Sequence, residues 1–176
     1  MSKSAHQLIN QTSGKFEYYT PQPILDAARK VLGEITLDPA SSKAANAFVK
    51  ANCFFTETDA PLHRPWFGNV WMNHPFGRTE NPLWIGKLIH EFSSRRVGRA
   101  LCITYACTSE AWFHPLMHFP QCFLVPRTNY ILPDGSVKRG VTKGSVVTFL
   151  LDRYDGIGKF AEAFKGMGVV KTPFYY

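Results

Sequence analysis

Asn73, His74, Pro75 and Phe76 form a tetrapeptide whose residue types can activate a weakly nucleophilic amino group. An amine on an aromatic ring attacks poorly because its lone pair is delocalised into the ring. Acceptors aimed at its N–H groups favour a tetrahedral nitrogen and return the lone pair to it. The Asn73 side-chain oxygen and the backbone carbonyl of His74 offer two such acceptors together. A proline-stiffened turn holds acceptors still, and Phe76 presents a face on which a planar base can stack. The tetrapeptide follows Gly68-Asn69-Val70-Trp71-Met72, an apolar run that reads as a buried strand.

A second constellation is Asp38-Pro39-Ala40-Ser41. It turns tightly out of a strand and leaves Asp38 to accept hydrogen bonds. A ligand carrying an ammonium group and ribose hydroxyls suits such a carboxylate. Glu57 and Asp59 follow the next strand about 20 residues on, where nucleotide-binding sheets place a ribose-binding acid. Metal chemistry has little support. The four cysteines, Cys53, Cys102, Cys107 and Cys122, include no Cys-x2-Cys pair, and Cys53, Cys102 and Cys122 read as buried thiols of a reducing compartment. His114 and His118 lie four apart, but Pro115 intervenes and no Glu accompanies them.

The elements that must position these residues can be read from periodicity. Residues 1–15 read as a loose polar tail without the apolar middle of a signal peptide, and residues 16–176 as one domain. Thr20 is a candidate N-cap and Pro21 a first-turn residue for a helix striped by Ile24, Leu25, Ala28 and Leu32 and ended by Gly33. Residues 34–38 read as a strand. Ser41 or Ser42 can cap a helix through Ala44, Ala45, Phe48 and Val49. Residues 53–55 form a short strand, and 59–67 a loop. Helices are expected over 81–94, 109–118 and 156–168, and strands over 99–105, 121–125 and 145–151. Between the last two strands, 126–144 is polar, with a turn at Pro133-Asp134-Gly135.

Alternating strands and helices predict a mainly parallel sheet, helices on both faces and a late antiparallel strand pair. Ligands bind such sheets beyond the carboxyl ends of the strands. Both constellations sit at such ends.

Taken together, these segments resemble the small DNA N6-adenine methyltransferases typical of bacteriophages and prophages. The resemblance is carried by Tyr18-Tyr19-Thr20-Pro21, Leu37-Asp38-Pro39-Ala40-Ser41-Ser42, Ala45-Asn46, Phe54-Phe55-Thr56 with Asp59, Trp66 and Gly68 to Asn73. Lys87-Leu88, Thr108 with Trp112-Phe113, Arg127 and Ser145 also fit, so that it covers about residues 16–151. It implies a Rossmann-like fold dependent on S-adenosylmethionine, with Tyr19, Thr20 and Pro21 beside the cofactor and Asp38 to Ser41 holding it. It also implies Asn73 to Phe76 as the catalytic loop and the cytoplasm of a bacterial host as the setting. The family has Asn-Pro-Pro-Phe or Asn-Pro-Pro-Tyr. Here His74 replaces the first proline, so the carbonyl remains and the stiffening is halved.

The net charge of +7 and pI of about 9.3 favour an anionic partner, here double-stranded DNA. No apolar run approaches the ~18 residues of a membrane span. The base must leave the duplex to reach the loop. Candidate gripping residues are Arg78, Trp112, Arg127, Lys138, Arg139 and Lys143. Arg95, Arg96 and Arg99 are further candidates, although Arg95-Arg96 also reads as a solvated helix end. The chain has no room for a separate target-recognition domain. Recognition is therefore expected to be short or relaxed, or to come from a homo-oligomer. Two other readings stay open: methylation of another amine (cytosine N4, RNA or a glutamine amide), and a silent protein that keeps the fold and binds DNA or cofactor.

Overall fold

The computed structural model describes residues 18–152 and 156–173. The expected tail, residues 1–15, lies outside them. Seven strands form one mixed sheet: β1 (Leu37–Asp38), β2 (Cys53–Phe54), β3 (Gly68–Met72), β4 (Val97–Tyr105), β5 (Gln121–Leu124), β6 (Ser145–Leu151) and β7 (Gly168–Lys171). Their spatial order is β2-β1-β3-β4-β6-β5-β7. The helices are α1 (Gln22–Leu32), α2 (Lys43–Val49), α3 (Glu80–Ser93) and α4 (Ile157–Ala163).

The expectation of a mainly parallel sheet is corrected. The β1–β2, β1–β3 and β3–β4 pairings are parallel, but β4–β6, β5–β6 and β5–β7 are antiparallel. The cause is local. Parallel neighbours need a crossover, usually a helix, and the link from β5 to β6 contains none. It holds instead the expected turn: the Gly135 N–H bonds the Leu132 carbonyl at 2.8 Å, and Asp134 accepts from the Ser136 N–H at 2.8 Å.

Helices cover both faces. One face packs Trp71, Leu101, Ile103, Val147 and Phe149 against α1 and α4. The other packs Val70, Met72, Ala100, Cys102 and Leu150 against Trp84, Ile85 and Leu88 of α3. This alternation along β3, β4 and β6 is the period of two of a strand buried on both sides.

Several expected elements differ. Pro21, not Thr20, is the N-cap of α1, with no side-chain hydrogen bond, and Thr20 is buried. The Ser42 hydroxyl caps α2 by accepting from the Ala45 N–H at 3.1 Å. The expected helix over 109–118 is reduced to turns and a five-residue 3-10 segment, His114–His118, because Pro115 supplies no amide donor for a longer helix. With about three residues per turn, His114 and His118 do not share a face. Among the described residues no group of three or more His, Cys, Asp or Glu is placed to hold a metal, and none of the described helices is long and apolar enough to cross a membrane. Of the thiols expected to be buried, Cys102 and Cys122 are, whereas Cys53 on the outer strand is half-buried. The last expected helix stops at Ala163, and β7 follows where no strand was expected.

Entry into β3 depends on Gly68. Its φ of +69° is left-handed, and a Cβ there would stand 2.7 Å from Thr36 side-chain carbons. Thr36 cannot simply move, because its hydroxyl accepts from the Asn69 N–H at 3.1 Å and its N–H bonds the Asn69 carbonyl at 2.8 Å. Gly68→Ala should therefore destabilise the protein by about 1–3 kcal/mol. Urea unfolding checks this, and an unchanged midpoint would show that the entry relaxes freely.

Candidate active site

The parallel register aligns the strand ends. Leu37 of β1 lies opposite Val70 of β3, and Met72 opposite Cys102 of β4. Asp38, Asn73 and Tyr105 therefore emerge at one edge of the sheet.

Asn73 is half-buried, and its side-chain Nδ2 donates to the Tyr18 carbonyl at 2.7 Å. A carbonyl partner requires the NH2 end of the amide, so this bond fixes the orientation. The Asn73 Oδ1 is left as an acceptor pointing away from the Tyr18 carbonyl. Tyr18 belongs to a segment that is itself stitched down. The Tyr19 N–H and carbonyl exchange hydrogen bonds with Ile131 at 2.8 and 2.9 Å.

The His74 side chain is buried. Its Nε2 lies 2.9 Å from the Asn81 Oδ1, its ring stacks on Trp84 with centroids 6.1 Å apart, and Phe76 meets it edge-on at 5.4 Å. Burial lowers its pKa to about 4, against a smaller opposing effect of the Asn81 bond. The ring is neutral at neutral pH. The Asn81 oxygen can only accept, so the proton sits on Nε2. Beyond Pro75, the Gly77 N–H bonds the Pro75 carbonyl at 3.1 Å and the Asn81 N–H bonds the Gly77 carbonyl at 3.0 Å, closing the turn into α3.

Phe76 is one wall of an aromatic cluster. Tyr105 lies 4.6 Å away between centroids and Tyr130 5.9 Å, while Tyr18 lies 5.9 Å from Tyr130. The Tyr130 hydroxyl is paired with the Ser145 hydroxyl at 2.9 Å. The Lys143 ammonium stands 5.5 Å from the centre of the Tyr105 ring. A planar, electron-rich wall bordered by a cation suits a nucleobase with its phosphate.

Asp38 is 2% exposed at the end of β1. Burial pushes its carboxyl up to about 7, opposed by hydrogen bonds from the Ala40 N–H, at 3.1 Å, and the Ser41 hydroxyl. Thr20 is also buried, and its hydroxyl makes no hydrogen bond among the described residues. A buried acid short of a cation and an unpartnered buried hydroxyl are the donor set that an ammonium- and hydroxyl-bearing cofactor would complete. Pro39 is buried and Pro21, Ala40 and Ser41 are half-buried in the turns that flank these groups.

The other expected site residues separate into groups. Asp59 is engaged locally, where its Oδ2 accepts from the Thr56 N–H at 2.8 Å and the Thr56 hydroxyl at 2.7 Å, closing a capping box, and these bonds lower its pKa. Glu57 is exposed on that same turn. Arg78 is exposed just past Phe76, and Arg127, Lys138 and Arg139 are exposed on the β5–β6 link, whose last part brings Lys143 to Tyr105. Trp112 is not joined to the cluster, since it packs against the α3 face whereas Phe76 packs on the α1 face. Arg95, Arg96 and Arg99 are not joined either. They lie at the start of β4, opposite the end from which Tyr105 emerges, and Arg96 pairs with Glu91. Sequence reasoning missed Tyr105, Tyr130 and Asn81. Tyr105 had a signal, as the last residue of a strand at the ligand-binding edge; Tyr130 and Asn81 had none.

The profile of a family described as DNA N-6-adenine-methyltransferase (Dam) matches residues 10–152. No curated protein matches the chain.

The raised pKa of Asp38 has a checkable consequence. The folded carboxyl keeps its proton up to about 7 while the unfolded one loses it near the ordinary value of 3.8. This group therefore favours folding at low pH, and its contribution is lost as pH rises through that window. Asp38→Asn removes the titration. Its stability relative to the natural protein should rise between pH 4 and pH 8, measured by urea unfolding without ligand. A pH-independent difference would show that Asp38 is solvated.

Proposed function

The chain belongs to the DNA N-6-adenine-methyltransferase (Dam) family, and we propose that it methylates the exocyclic amine of an adenine flipped out of double-stranded DNA, on a single Rossmann-like domain. The observation that carries this reading is the orientation of Asn73. With Nδ2 committed to the Tyr18 carbonyl, its Oδ1 is the acceptor offered beside the His74 carbonyl. Two neutral acceptors are what an aromatic amine needs, because they favour the tetrahedral nitrogen of the transition state without removing a proton first.

When bound, S-adenosylmethionine supplies an electrophilic methyl group on a sulfonium. The residues suited to hold it are Thr20 through its hydroxyl, Asp38 through its carboxylate, and the flanking Tyr19, Pro21, Pro39, Ala40 and Ser41, with Glu57 at the ribose side. Asp59, occupied by its own turn, has at most an indirect part. Asn73 and His74 orient the amine, Phe76 stacks on the base, and Tyr18, Tyr105 and Tyr130 enclose the ring and exclude water. Arg78, Arg127, Lys138, Arg139 and Lys143 contact phosphates. Recognition is short, and the cytoplasm of a bacterial host carrying phage or prophage DNA is the setting that suits it. His74 does not favour the silent reading, because the carbonyl required at that position is intact.

Transfer from radiolabelled S-adenosylmethionine to duplex DNA, with analysis of the modified nucleoside, tests the proposal directly; N4-methylcytosine, or label on RNA only, would replace it. Asn73→Ala should lower the rate by about 10²–10³-fold, and Phe76→Ala should cost about 1–3 kcal/mol through lost stacking. Asp38→Ala should weaken cofactor binding by about 1–3 kcal/mol, read by calorimetry. DNA affinity should fall linearly on a log–log plot against salt, with a slope near −0.9 per phosphate contacted. Binding insensitive to salt would count against a nucleic-acid substrate.

A further inference from the structure

We propose that Asn81 is a positioning residue for the catalytic loop, holding the backbone of residue 74 through the His74 side chain and so replacing the missing proline ring. The inference rests on the reading of residues 73–76 as the methylating loop. A proline fixes its own φ covalently, whereas a histidine fixes nothing by itself. Here the imidazole is held on three sides: by the Asn81 Oδ1 at 2.9 Å, by the stacked Trp84 ring and by the T-shaped contact with Phe76.

The anchors are rigid. Asn81 lies in the first turn of α3, is 8% exposed, and is tied back to the loop by its own N–H on the Gly77 carbonyl at 3.0 Å. Trp84 is buried beside Trp66 at 5.9 Å, within the core that also holds Ile85 and Leu88. The bond to Asn81 also selects the ring's protonation. Nε2 must donate to an oxygen that only accepts, and the buried Nδ1 has no partner among the described residues, so a second proton there would be unpaired. The substitution of proline by histidine thus comes with a non-covalent clamp, and the clamp depends on Asn81. With proline at 74 the same Asn81 would have no ring to hold.

A double-mutant cycle isolates the dependence. Single-turnover methyl transfer to duplex DNA is measured for the natural protein, Asn81→Ala, His74→Pro and the double variant. Asn81→Ala should slow transfer about ten- to hundred-fold, the scale of a loop misplaced by up to about 1 Å, with dissociation constants for DNA and S-adenosylmethionine unchanged. In the His74→Pro background the same change should cost no more than about twofold, the scatter of independent sites. Asn81→Gln keeps a neutral amide acceptor and should retain more of the rate than Asn81→Ala. An equal loss in both backgrounds, or no loss in the natural one, overturns the proposal.

Amide hydrogen exchange gives a readout that does not depend on activity. Residues 73–79 should exchange faster in Asn81→Ala than in the natural protein, with β3 and β4 unchanged. Unchanged exchange in the loop overturns the clamp. If no protein methylates DNA but the exchange pattern is found, the methylation reading falls and the clamp stands. Should Asn81→Ala fail to fold, Asn81→Leu, which restores the lost volume without an acceptor, takes its place in both measurements.

Discussion

The hydrogen bond from the Asn73 side chain to the Tyr18 carbonyl, 2.7 Å long and spanning 55 residues of sequence, is the contact on which the site depends. It does two things at once. It decides which end of the amide faces the space beyond the strands, and it binds the loop after β3 to the segment that leads into α1. That segment carries Thr20 and Pro21, and it is paired on its other side with Ile131. A single polar contact therefore couples the proposed catalytic loop, the proposed cofactor side and the β5–β6 link. A flipped amide would set Oδ1 against another carbonyl oxygen, leaving two acceptors face to face and no donor between them.

The sheet supplies the frame for this contact. Parallel pairing of β1, β3 and β4 brings three strand ends to one edge, which parallel strands provide because their crossovers return the chain to the far side. The antiparallel β6 then contributes something that the parallel strands cannot. It starts where β4 ends, with Ser145 opposite Tyr105 and the Gly144 carbonyl accepting from the Ala106 N–H at 2.9 Å. The link that precedes it must therefore arrive at the site edge. This is how a polar, basic stretch without a helix comes to place Lys143 on Tyr105 and Tyr130 beside Phe76.

Much of this was legible in the sequence. The strand preceding Asn73 is an uninterrupted apolar run, and Asp38-Pro39 announces a turn at a strand end, so the two halves of the site could be assigned to the same edge from residue types alone. Ser145 to Leu151 was readable to the residue because it is buried on both faces and flanked by glycine and aspartate. What escaped reading depends on contacts that composition does not announce. Thr20 has the composition of a cap, but Pro21 takes the cap position, and the Thr20 hydroxyl is buried without a partner among the described residues. Asp59 has the composition of a ribose acid, but Thr56 three residues earlier captures it. The arginines at 95, 96 and 99 are basic but stand at the wrong end of β4. Asn81 stands seven positions after His74, a spacing that carries no signal until a turn brings helix and loop together.

The electrostatics of the two halves suit the proposed chemistry. On the proposed amine side His74 is held neutral by burial, with its pKa lowered to about 4, and its ring meets the Asn81 side-chain oxygen and two aromatic rings. An ionised base is not required, because a nitrogen that has become cationic by accepting an alkyl group loses its proton readily to water. A charged histidine would oppose the proposed reaction, in which positive charge develops on the attacking amine. On the other side, Asp38 is buried with its carboxyl raised to about 7. An acid in that position is partly protonated at neutral pH, and an approaching cation would favour its carboxylate form. Burial thus acts on both ionisable groups in the same physical sense, disfavouring charge at each. A cationic partner would restore charge to the acid, whereas the contacts described for the imidazole, the Asn81 oxygen and two aromatic rings, are neutral.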